Sequence, residues 1–350
     1  MQRHKIALTI FFGLGLMLAS SAAMAQYQLS NLDSNQLAWA RHTDPLQVNG
    51  WGIARSAGSP WWVSDQGSGW STIYDGKGNI EGLKVLIPTA GNGPASPAGV
   101  NGPGQPTGIV YNGSTDGEFQ VGGWSSIFLF DTLDGTISGW APQTNKNQAI
   151  VAVDNSASGA QYTALAITSK PSGNFIYATD LVNNKVDVYD GTFTWVTSFT
   201  DPTIPGGWGP FGIQDINGLL YVAFVDIAEG PGGIIDVFNE DGTFVHRLIE
   251  GAPLNQPWGF AVSPKNFGPL SNALLISNNT NNGTINAFNS LTGKFIGTLK
   301  DTSGKAIVIN QLWAIGFGGG TAANGTTSEL FFTAGPGNNL AGTFGVITFK

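Results

Sequence analysis

A six-fold internal repeat is the feature that most restricts how this 350-residue chain can fold. A short phrase in which a small residue precedes a large apolar one, often after Pro or Trp, occurs six times. The small residues are Gly52, Gly108, Ala166, Gly212, Gly259 and Ala314. Their spacings of 56, 58, 46, 47 and 55 residues suit one four-stranded unit with insertions.

Each phrase is followed by further strand-forming runs. In the third copy these runs cover residues 175–180, 185–190 and 194–199, and Gly, Asn and Asp separate them as turns between strands require. Four strands per copy and six copies predict an all-β chain folded as a six-bladed β-propeller. A small residue on each innermost strand fits this fold, because a large side chain would hold neighbouring inner strands apart.

The last copy lacks one strand. The segment from Tyr27 to Leu32, ahead of the first copy, can supply it. We therefore expect the N-terminal strand to close the last blade, which removes the open edge that the last sheet would otherwise expose.

The N-terminus resembles an export signal. Arg3, His4 and Lys5 precede an uncharged run over 6–19, and the tripeptide at 23–25 is Ala-Met-Ala. The apolar run is shorter than the roughly 20 residues that span a bilayer, although a retained anchor is the alternative. We expect residues 1–25 to be a signal peptide and 26–350 a single propeller domain. This predicts a secreted or periplasmic monomer with no stable membrane insertion after cleavage.

Composition excludes several functions. The formal net charge is −8 and only 11% of residues are charged, so nucleic acid and anionic membrane surfaces are poor partners. The chain has no Cys, so neither disulfides nor thiolate chemistry is available. No G-x-S-x-G elbow, P-loop or H-E-x-x-H motif occurs.

The repeat resembles the NHL type of propeller, through residues 257–262 and through 176–180 followed by Asn183-Asn184. A closer likeness is to a group of secreted bacterial NHL-like proteins of uncharacterised function, through residues 42–45, 48–53 and 345–348. These resemblances imply a fold rather than an activity. Lactonases of the gluconolactonase type share the fold, which implies a channel-centred Ca²⁺ held by Glu, Asn and Asp. Asn49 stands here where their first Glu is expected.

Polar residues end the predicted second strands, and loops of several blades converge at one mouth of the channel. These candidate metal ligands are Asp65, Asp180, Asp226 and Asn278. Carboxylate and amide oxygens from several blades suit Ca²⁺, which takes six to eight oxygen ligands. The alternative is that each side chain caps its own turn. Calcium is the one cofactor that the sequence suggests.

Other candidates lie around the first blade. His42 beside Asp44 could act as a general base, or the pair could form an Asx-Pro turn with a solvated imidazole. Trp51, Trp62 and Trp70 could stack on a sugar or a flat organic ligand, or fill the packing of the first blade.

Three functions remain open. The leading hypothesis is an exported binding or interaction protein, with a small molecule, carbohydrate or protein ligand at the mouth of the central channel. The alternative is a calcium-dependent small-molecule hydrolase or lyase of lactonase-like type. A cell-envelope scaffold that binds proteins through its blade edges is the third.

Overall fold

The computed structural model describes residues 27–91, 103–114, 116–170 and 173–350, so the predicted signal peptide lies outside the described residues. The described residues form six sheets of four or five strands and one small hairpin. Each inner strand packs against the inner strands of the preceding and following blades, and the sixth packs against the first. The prediction of an all-β, six-bladed propeller is confirmed. No helix within these ranges has the length and apolar character needed to span a bilayer.

The strands follow the chain blade by blade. Before the first blade come β1 (Tyr27–Ser34) and β2 (His42–Thr43). Blade 1 contains β3 (Gly50–Ala54), β4 (Trp61–Asp65), β5 (Trp70–Tyr74) and β6 (Val85–Leu86). Blade 2 and its inserted hairpin contain β7 (Pro106–Tyr111), β8 (Gln120–Val121), β9 (Trp124–Ser125), β10 (Phe128–Thr132), β11 (Thr136–Trp140) and β12 (Ile150–Asp154).

Blades 3 to 6 repeat the design. Blade 3 contains β13 (Tyr162–Lys170), β14 (Gly173–Asp180), β15 (Lys185–Asp190) and β16 (Trp195–Phe199). Blade 4 contains β17 (Trp208–Ile216), β18 (Leu219–Asp226), β19 (Ile234–Asn239) and β20 (Phe244–Glu250). Blade 5 contains β21 (Pro257–Val262), β22 (Leu274–Asn278), β23 (Ile285–Phe288) and β24 (Phe295–Thr298). Blade 6 contains β25 (Leu312–Phe317), β26 (Leu330–Ala334) and β27 (Thr343–Phe349). Two single-turn 3-10 helices cover Ser156–Ser158 and Gly268–Leu270.

The N-terminal strand closes the ring, as predicted. Strand β1 pairs antiparallel with β27, from Tyr27 opposite Phe349 to Ser34 opposite Thr343. It therefore forms the outer strand of blade 6, and β2 adds to it in parallel. The two ends of the described chain are held in one sheet.

The inner strands show why the anchor residue is small. A side chain on Gly52 would bring its Cβ within 2.5 Å of the Thr107 carbonyl oxygen in the next blade. Gly108 likewise faces the backbone of Ala164 and Leu165. The third anchor is therefore Ala164, and the assignment to Ala166 is wrong by two residues. The phrase Tyr-Thr-Ala-Leu-Ala-Ile offers two Ala and lacks the usual Pro or Trp, so only the contact with blade 2 identifies the anchor.

Candidate functional site

The aromatic residue before the anchor closes one end of the central channel. Four blades place a large ring there, on Trp51, Phe211, Trp258 and Trp313, and all four rings are buried. The ring centroids of Trp51 and Phe211 are 6.2 Å apart, although these residues belong to opposite blades. The cluster thus crosses the channel axis, and we call these four residues the aromatic floor.

Hydrogen bonds fix two of the three indoles of the floor, and among the described residues the Trp51 Nε1 has no partner. The Trp258 Nε1 donates to the Thr163 carbonyl oxygen at 3.1 Å, from blade 5 to blade 3. The Trp313 Nε1 donates to the Asn49 Oδ1 at 2.9 Å, and the Asn49 amide donates to Gln66 at 2.7 Å. Asn49, which stands where a lactonase-like calcium ligand was expected, therefore orients the floor through both atoms of its amide.

The opposite end of the channel is open. Beyond the floor, the residues that follow each anchor form an apolar tier, consisting of Ile53, Ile109, Leu165, Ile213, Phe260 and Ile315. A narrow space of about 50 Å³ lies between this tier and Trp258. It widens into a cavity of about 640 Å³, which we call the funnel. This volume lies in the range of small-molecule pockets.

The rim of the funnel comes from the third residue after each anchor. Its members are Arg55, Tyr111, Ile167, Asp215, Val262 and Phe317. Side chains two residues apart on a strand point to the same side, so apolar tier and rim follow one alternation along every inner strand, and in four blades this alternation includes the floor residue. The funnel is thus a well with an apolar tier of side chains, a mixed rim and a surface that is polar and apolar in similar measure.

Two rim residues are charged. The Arg55 Nε and Nη2 donate to the Phe317 carbonyl oxygen at 3.1 and 2.8 Å, and its guanidinium lies 5.2 Å from the centre of the Trp61 ring. Burial lowers the pKa of Arg55. Asp215 lies on the opposite blade, where its Oδ1 accepts a hydrogen bond from the Gly218 amide at 3.0 Å.

Gln214 is a polar side chain at a position where the other blades have small or apolar residues. It is the second residue after its anchor and lines both the narrow space and the funnel. The equivalent residues are Ala54, Val110, Ala166, Ala261 and Gly316. Blade 4 therefore presents the most polar wall of the well, with Gln214, Asp215 and Asn217 together.

The four predicted metal ligands lie at the other end, beside the starts of the inner strands. Asp65 pairs with Gly50, Asp180 with Tyr162, Asp226 with Trp208 and Asn278 with Pro257. They are therefore on the floor side and do not line the funnel.

Most of the hydrogen bonds of these four side chains are local. Asp226 accepts from the Ala228 amide at 2.9 Å and Asp180 accepts from Asn183 at 2.7 Å, whereas Asn278 donates to the more distant Pro253 carbonyl oxygen at 2.9 Å. Throughout the part of the chain that the structure describes, no three His, Asp or Glu side chains are grouped so that they could hold a metal ion.

His42 and Asp44 have different surroundings. Asp44 is buried, and its carboxylate accepts hydrogen bonds from the Leu46 amide at 2.9 Å and the Tyr74 hydroxyl at 3.3 Å. The Leu46 bond is an Asx turn of the kind that the Asp-Pro sequence favours. His42 lies in β2, in register with Asp33 of β1.

The three predicted ligand-binding Trp residues are divided among different surroundings. Trp51 belongs to the floor. Trp62 stacks on Phe128 at 4.2 Å and lies near Trp140 at 4.8 Å, filling the wedge between blades 1 and 2. Trp70 is half-buried with the Lys84 Nζ 5.4 Å from its ring centre. Of the Trp residues of β4, Trp61 and not Trp62 reaches the funnel.

A buried acidic cluster was not foreseen. Asp33 and Asp65 are fully buried, and neither oxygen of Asp33 has a hydrogen-bond partner. Burial, and then the charge of Asp44, raise the pKa of Asp33 to about 7, while nearby backbone amides act in the opposite direction. Burial also raises the pKa of Asp65 well above its usual value. Asp33 lies on the closing strand, and no sequence motif marks that position.

Funnel residues were also missed, although the sequence holds a signal for them. The repeated phrase was interpreted as packing between blades. Its alternation of side chains, continued for two more residues, leads to Arg55 and Asp215. In blade 3 the same extension reaches Ile167 only from the correct anchor, Ala164, which the inter-blade contacts supply.

Comparison with known proteins supports the fold and identifies relatives. No family model matches the chain. A streptogramin B lyase structure superposes with a TM-score of 0.54 at 14% identity, covering 95% of this chain and 100% of that one. A gluconolactonase from Xanthomonas campestris superposes with a TM-score of 0.58 at 14% identity, covering 95% and 93%. At such identity the likeness shows the propeller fold alone.

Sequence similarity is higher to a viral protein. Uncharacterized protein R648 of Acanthamoeba polyphaga mimivirus is 30% identical over 343 residues, which cover 93% of this chain and 81% of that protein. The chain therefore belongs to the same family as this uncharacterized mimivirus protein.

Proposed function

We propose that this protein binds a small molecule in the funnel without transforming it, after export as an NHL-like propeller to the periplasm or the exterior. The observation that carries the proposal is the 640 Å³ funnel, closed at its base by the aromatic floor, lined by both polar and apolar surface, and open at its rim. Such a funnel surrounds a small ligand on all sides but one, with the apolar tier for its apolar part and polar groups for its orientation.

The funnel has few groups for catalysis. Its charged residues are Arg55 and Asp215, and neither His42 nor His246 lines it. General acid–base catalysis at neutral pH most often uses His, or a carboxyl group with a raised pKa. The carboxyl groups with the most strongly raised pKa values, such as Asp33 and Asp65, are buried away from the funnel. These facts favour binding over catalysis.

The test uses the fluorescent probe 1-anilinonaphthalene-8-sulfonate and one substitution at two places. Ile167→Trp adds bulk inside the rim, whereas Ile227→Trp adds the same bulk at an exposed site following β18, on the floor side. We expect saturable binding to the native protein and to Ile227→Trp, and binding at least about tenfold weaker to Ile167→Trp, a difference of about 1.4 kcal/mol. Equal binding to all three proteins, or none to the native protein, would contradict the proposal.

The competing function is a calcium-dependent hydrolase or lyase. Titration of the mature protein with millimolar CaCl₂ separates the two, because a cation that binds only the folded state raises the melting temperature. We expect no rise, and a saturable rise that Asp65→Asn abolishes would favour the enzymatic function.

A further inference from the structure

Arg55 supplies the positive charge of the funnel. Among the described residues that line this cavity, the formally charged ones are Arg55 and Asp215. Arg55 is the third residue after its anchor, so it lies at the rim, two residues beyond Ile53 of the apolar tier. A ligand in the funnel therefore has a cation beside it at the rim and apolar side chains below.

Uncharged groups hold the Arg55 guanidinium in place. Its Nε and Nη2 donate to the Phe317 carbonyl oxygen, and its Nη1 donates to the Ser56 carbonyl oxygen at 3.2 Å. The guanidinium also lies over the Trp61 ring, whose Nε1 donates to the Asn324 carbonyl oxygen at 3.0 Å. A side chain that is fixed in this way loses little conformational entropy when it binds a ligand.

These contacts leave the charge of Arg55 unpaired. None of the ion pairs found within the described ranges includes Arg55. A guanidinium has five N–H donors and these bonds use three, so one donor remains on each terminal nitrogen. Burial lowers the pKa of Arg55, as expected for a cation that has lost part of its hydration without gaining a carboxylate. An anion at the rim would gain charge-assisted hydrogen bonds and offset this loss of hydration.

The opposite wall, as far as the structure describes it, offers no cation. Gln214 is a neutral amide, and the Asp215 carboxylate accepts a hydrogen bond from the Gly218 amide in the turn that follows β17. A second anionic group on a ligand would find no cation on this wall and would meet the negative charge of Asp215. The funnel therefore suits a ligand with one anionic group.

From this arrangement we propose that the ligand is a small carboxylic acid with an apolar body, bound as its carboxylate. The carboxylate lies against the Arg55 guanidinium at the open rim, and the apolar body enters the tier formed by Ile109, Leu165 and Phe260. This orientation buries apolar surface while the charge stays near water, so the anion loses little of its hydration. The inference rests on the proposed function, since it assumes that the funnel is the binding site.

The charge of the whole chain makes a preference for anions diagnostic. The formal net charge is −8, so the overall electrostatic field of the protein favours cations. A preference for an anion must therefore come from local contacts, and removing the charge of Arg55 should abolish it.

Two dyes with the same ring system test the role of Arg55. In 1-anilinonaphthalene-8-sulfonate the sulfonate stands in for a carboxylate, and N-phenyl-1-naphthylamine lacks this group and is neutral. Arg55→Gln should weaken binding of the anionic dye at least about tenfold and change binding of the neutral dye less than about twofold. Arg41→Gln is the matched control, because Arg41 is exposed and does not line the funnel. Equal effects of Arg55→Gln on the two dyes would overturn the proposal, because Arg55 would then only shape the cavity.

Competition against the neutral dye tests the ligand class on the native protein. The probes 3-phenylpropanoate, 3-phenylpropan-1-ol and 3-phenylpropylamine share a phenyl ring and a three-carbon chain, and they are anionic, neutral and cationic. We expect the carboxylate to displace the dye at a concentration at least about tenfold below the other two, and to lose this advantage in Arg55→Gln. Arg55→Lys keeps the charge and should retain part of the advantage.

The outcomes separate this inference from the proposed function. If the alcohol or the amine displaces the neutral dye as well as the carboxylate does, the carboxylic acid is overturned while the funnel remains a binding site. If neither dye binds the native protein, both proposals are overturned. Unchanged melting temperatures show that the variants fold, and the competition on the native protein is decisive if they do not.

Discussion

The Trp51 indole stacks on the Trp313 indole, with ring centroids 3.7 Å apart and ring planes 20° from parallel. These residues belong to the first and last blades, which are held together by the closing strand, by such contacts and by hydrogen bonds such as that from Arg55 to Phe317. The stacked pair is therefore part of the aromatic floor and also holds blade 1 against blade 6. The stability of the propeller and the access of a ligand to the channel depend on the same side chains.

Trp313→Ala removes a buried indole and leaves a cavity at the axis. We expect a loss of about 3–5 kcal/mol in the free energy of unfolding, in the range of large-to-small core substitutions. Trp313→Phe keeps an aromatic ring but loses the bond to Asn49, so a loss of about 1–3 kcal/mol is expected for the unsatisfied amide oxygen. Urea unfolding monitored by circular dichroism measures both, and a Trp313→Phe protein as stable as the native one would contradict a role for the bond to Asn49.

Gly52→Ala tests why the anchor is small. An added methyl would meet the Thr107 carbonyl oxygen at 2.5 Å, so the first two blades must move apart. We expect destabilisation by about 1–3 kcal/mol, as for other overpacked sites. Gly58→Ala is the control, because nothing lies within 4 Å of its added Cβ and its φ needs no glycine. A stable Gly52→Ala protein would show that the anchor has another purpose.

Tyr27→Phe tests the closure of the ring. The Tyr27 hydroxyl, buried in the closing strand, donates to the Phe267 carbonyl oxygen at 2.7 Å, and the ring centroids of the two residues are 4.8 Å apart. Removing the hydroxyl leaves a buried acceptor unsatisfied, and we expect a loss of about 1–3 kcal/mol. Tyr111→Phe is the control, since Tyr111 is half-buried at the rim. Equal small effects in thermal melts would indicate that closure does not depend on this bond.

Much of the fold could be predicted because a blade repeats its chemistry. Strand alternation and turn residues are local properties, and the missing strand of blade 6 pointed directly to the segment that begins at Tyr27. The third anchor was assigned to Ala166 rather than Ala164 because the phrase there lacks the usual Pro or Trp. The anchor is defined by its contact with the neighbouring blade rather than by its own sequence.

The site was less predictable than the fold. Asp65 and Asn278 were chosen because such residues end strands near a channel mouth, but which mouth is open depends on how four rings meet at the axis. Trp51 and Phe211 are far apart in sequence and belong to opposite blades, so no local pattern shows that their end is closed. Arg55 and Asp215 lie two residues beyond the repeated phrase and have different equivalents in the other copies, so the repeat indicates their position but not their chemistry.

The buried carboxyl group of Asp33 predicts a pH dependence of stability. Its folded pKa of about 7 lies above the usual value near 4, so the folded state holds a proton that the unfolded state releases. Stability due to Asp33 is therefore fully present below about pH 4 and is lost as the pH rises through about 7. The charge of Asp44 acts in the same direction as burial on Asp33. Asp65 and Tyr74 belong to the same cluster, where burial, and then the charges of Asp33 and Asp44 among others, raise their pKa values as well.

Asp33→Asn removes this ionisation and is expected to flatten the dependence. Relative to the variant, the native protein should lose at most about 4 kcal/mol between pH 4 and pH 8, since each unit over which the proton is held is worth about 1.4 kcal/mol. Asp301→Asn is a control with the opposite sign, because hydrogen bonds from Ser303 lower the pKa of that exposed carboxyl group. Any stabilisation by the Asp301 carboxylate should therefore disappear as the pH falls. Urea unfolding across this range measures the difference. If the free energy of unfolding depends on pH equally in the native protein and in Asp33→Asn, Asp33 is ionised at neutral pH and neighbouring groups compensate its charge.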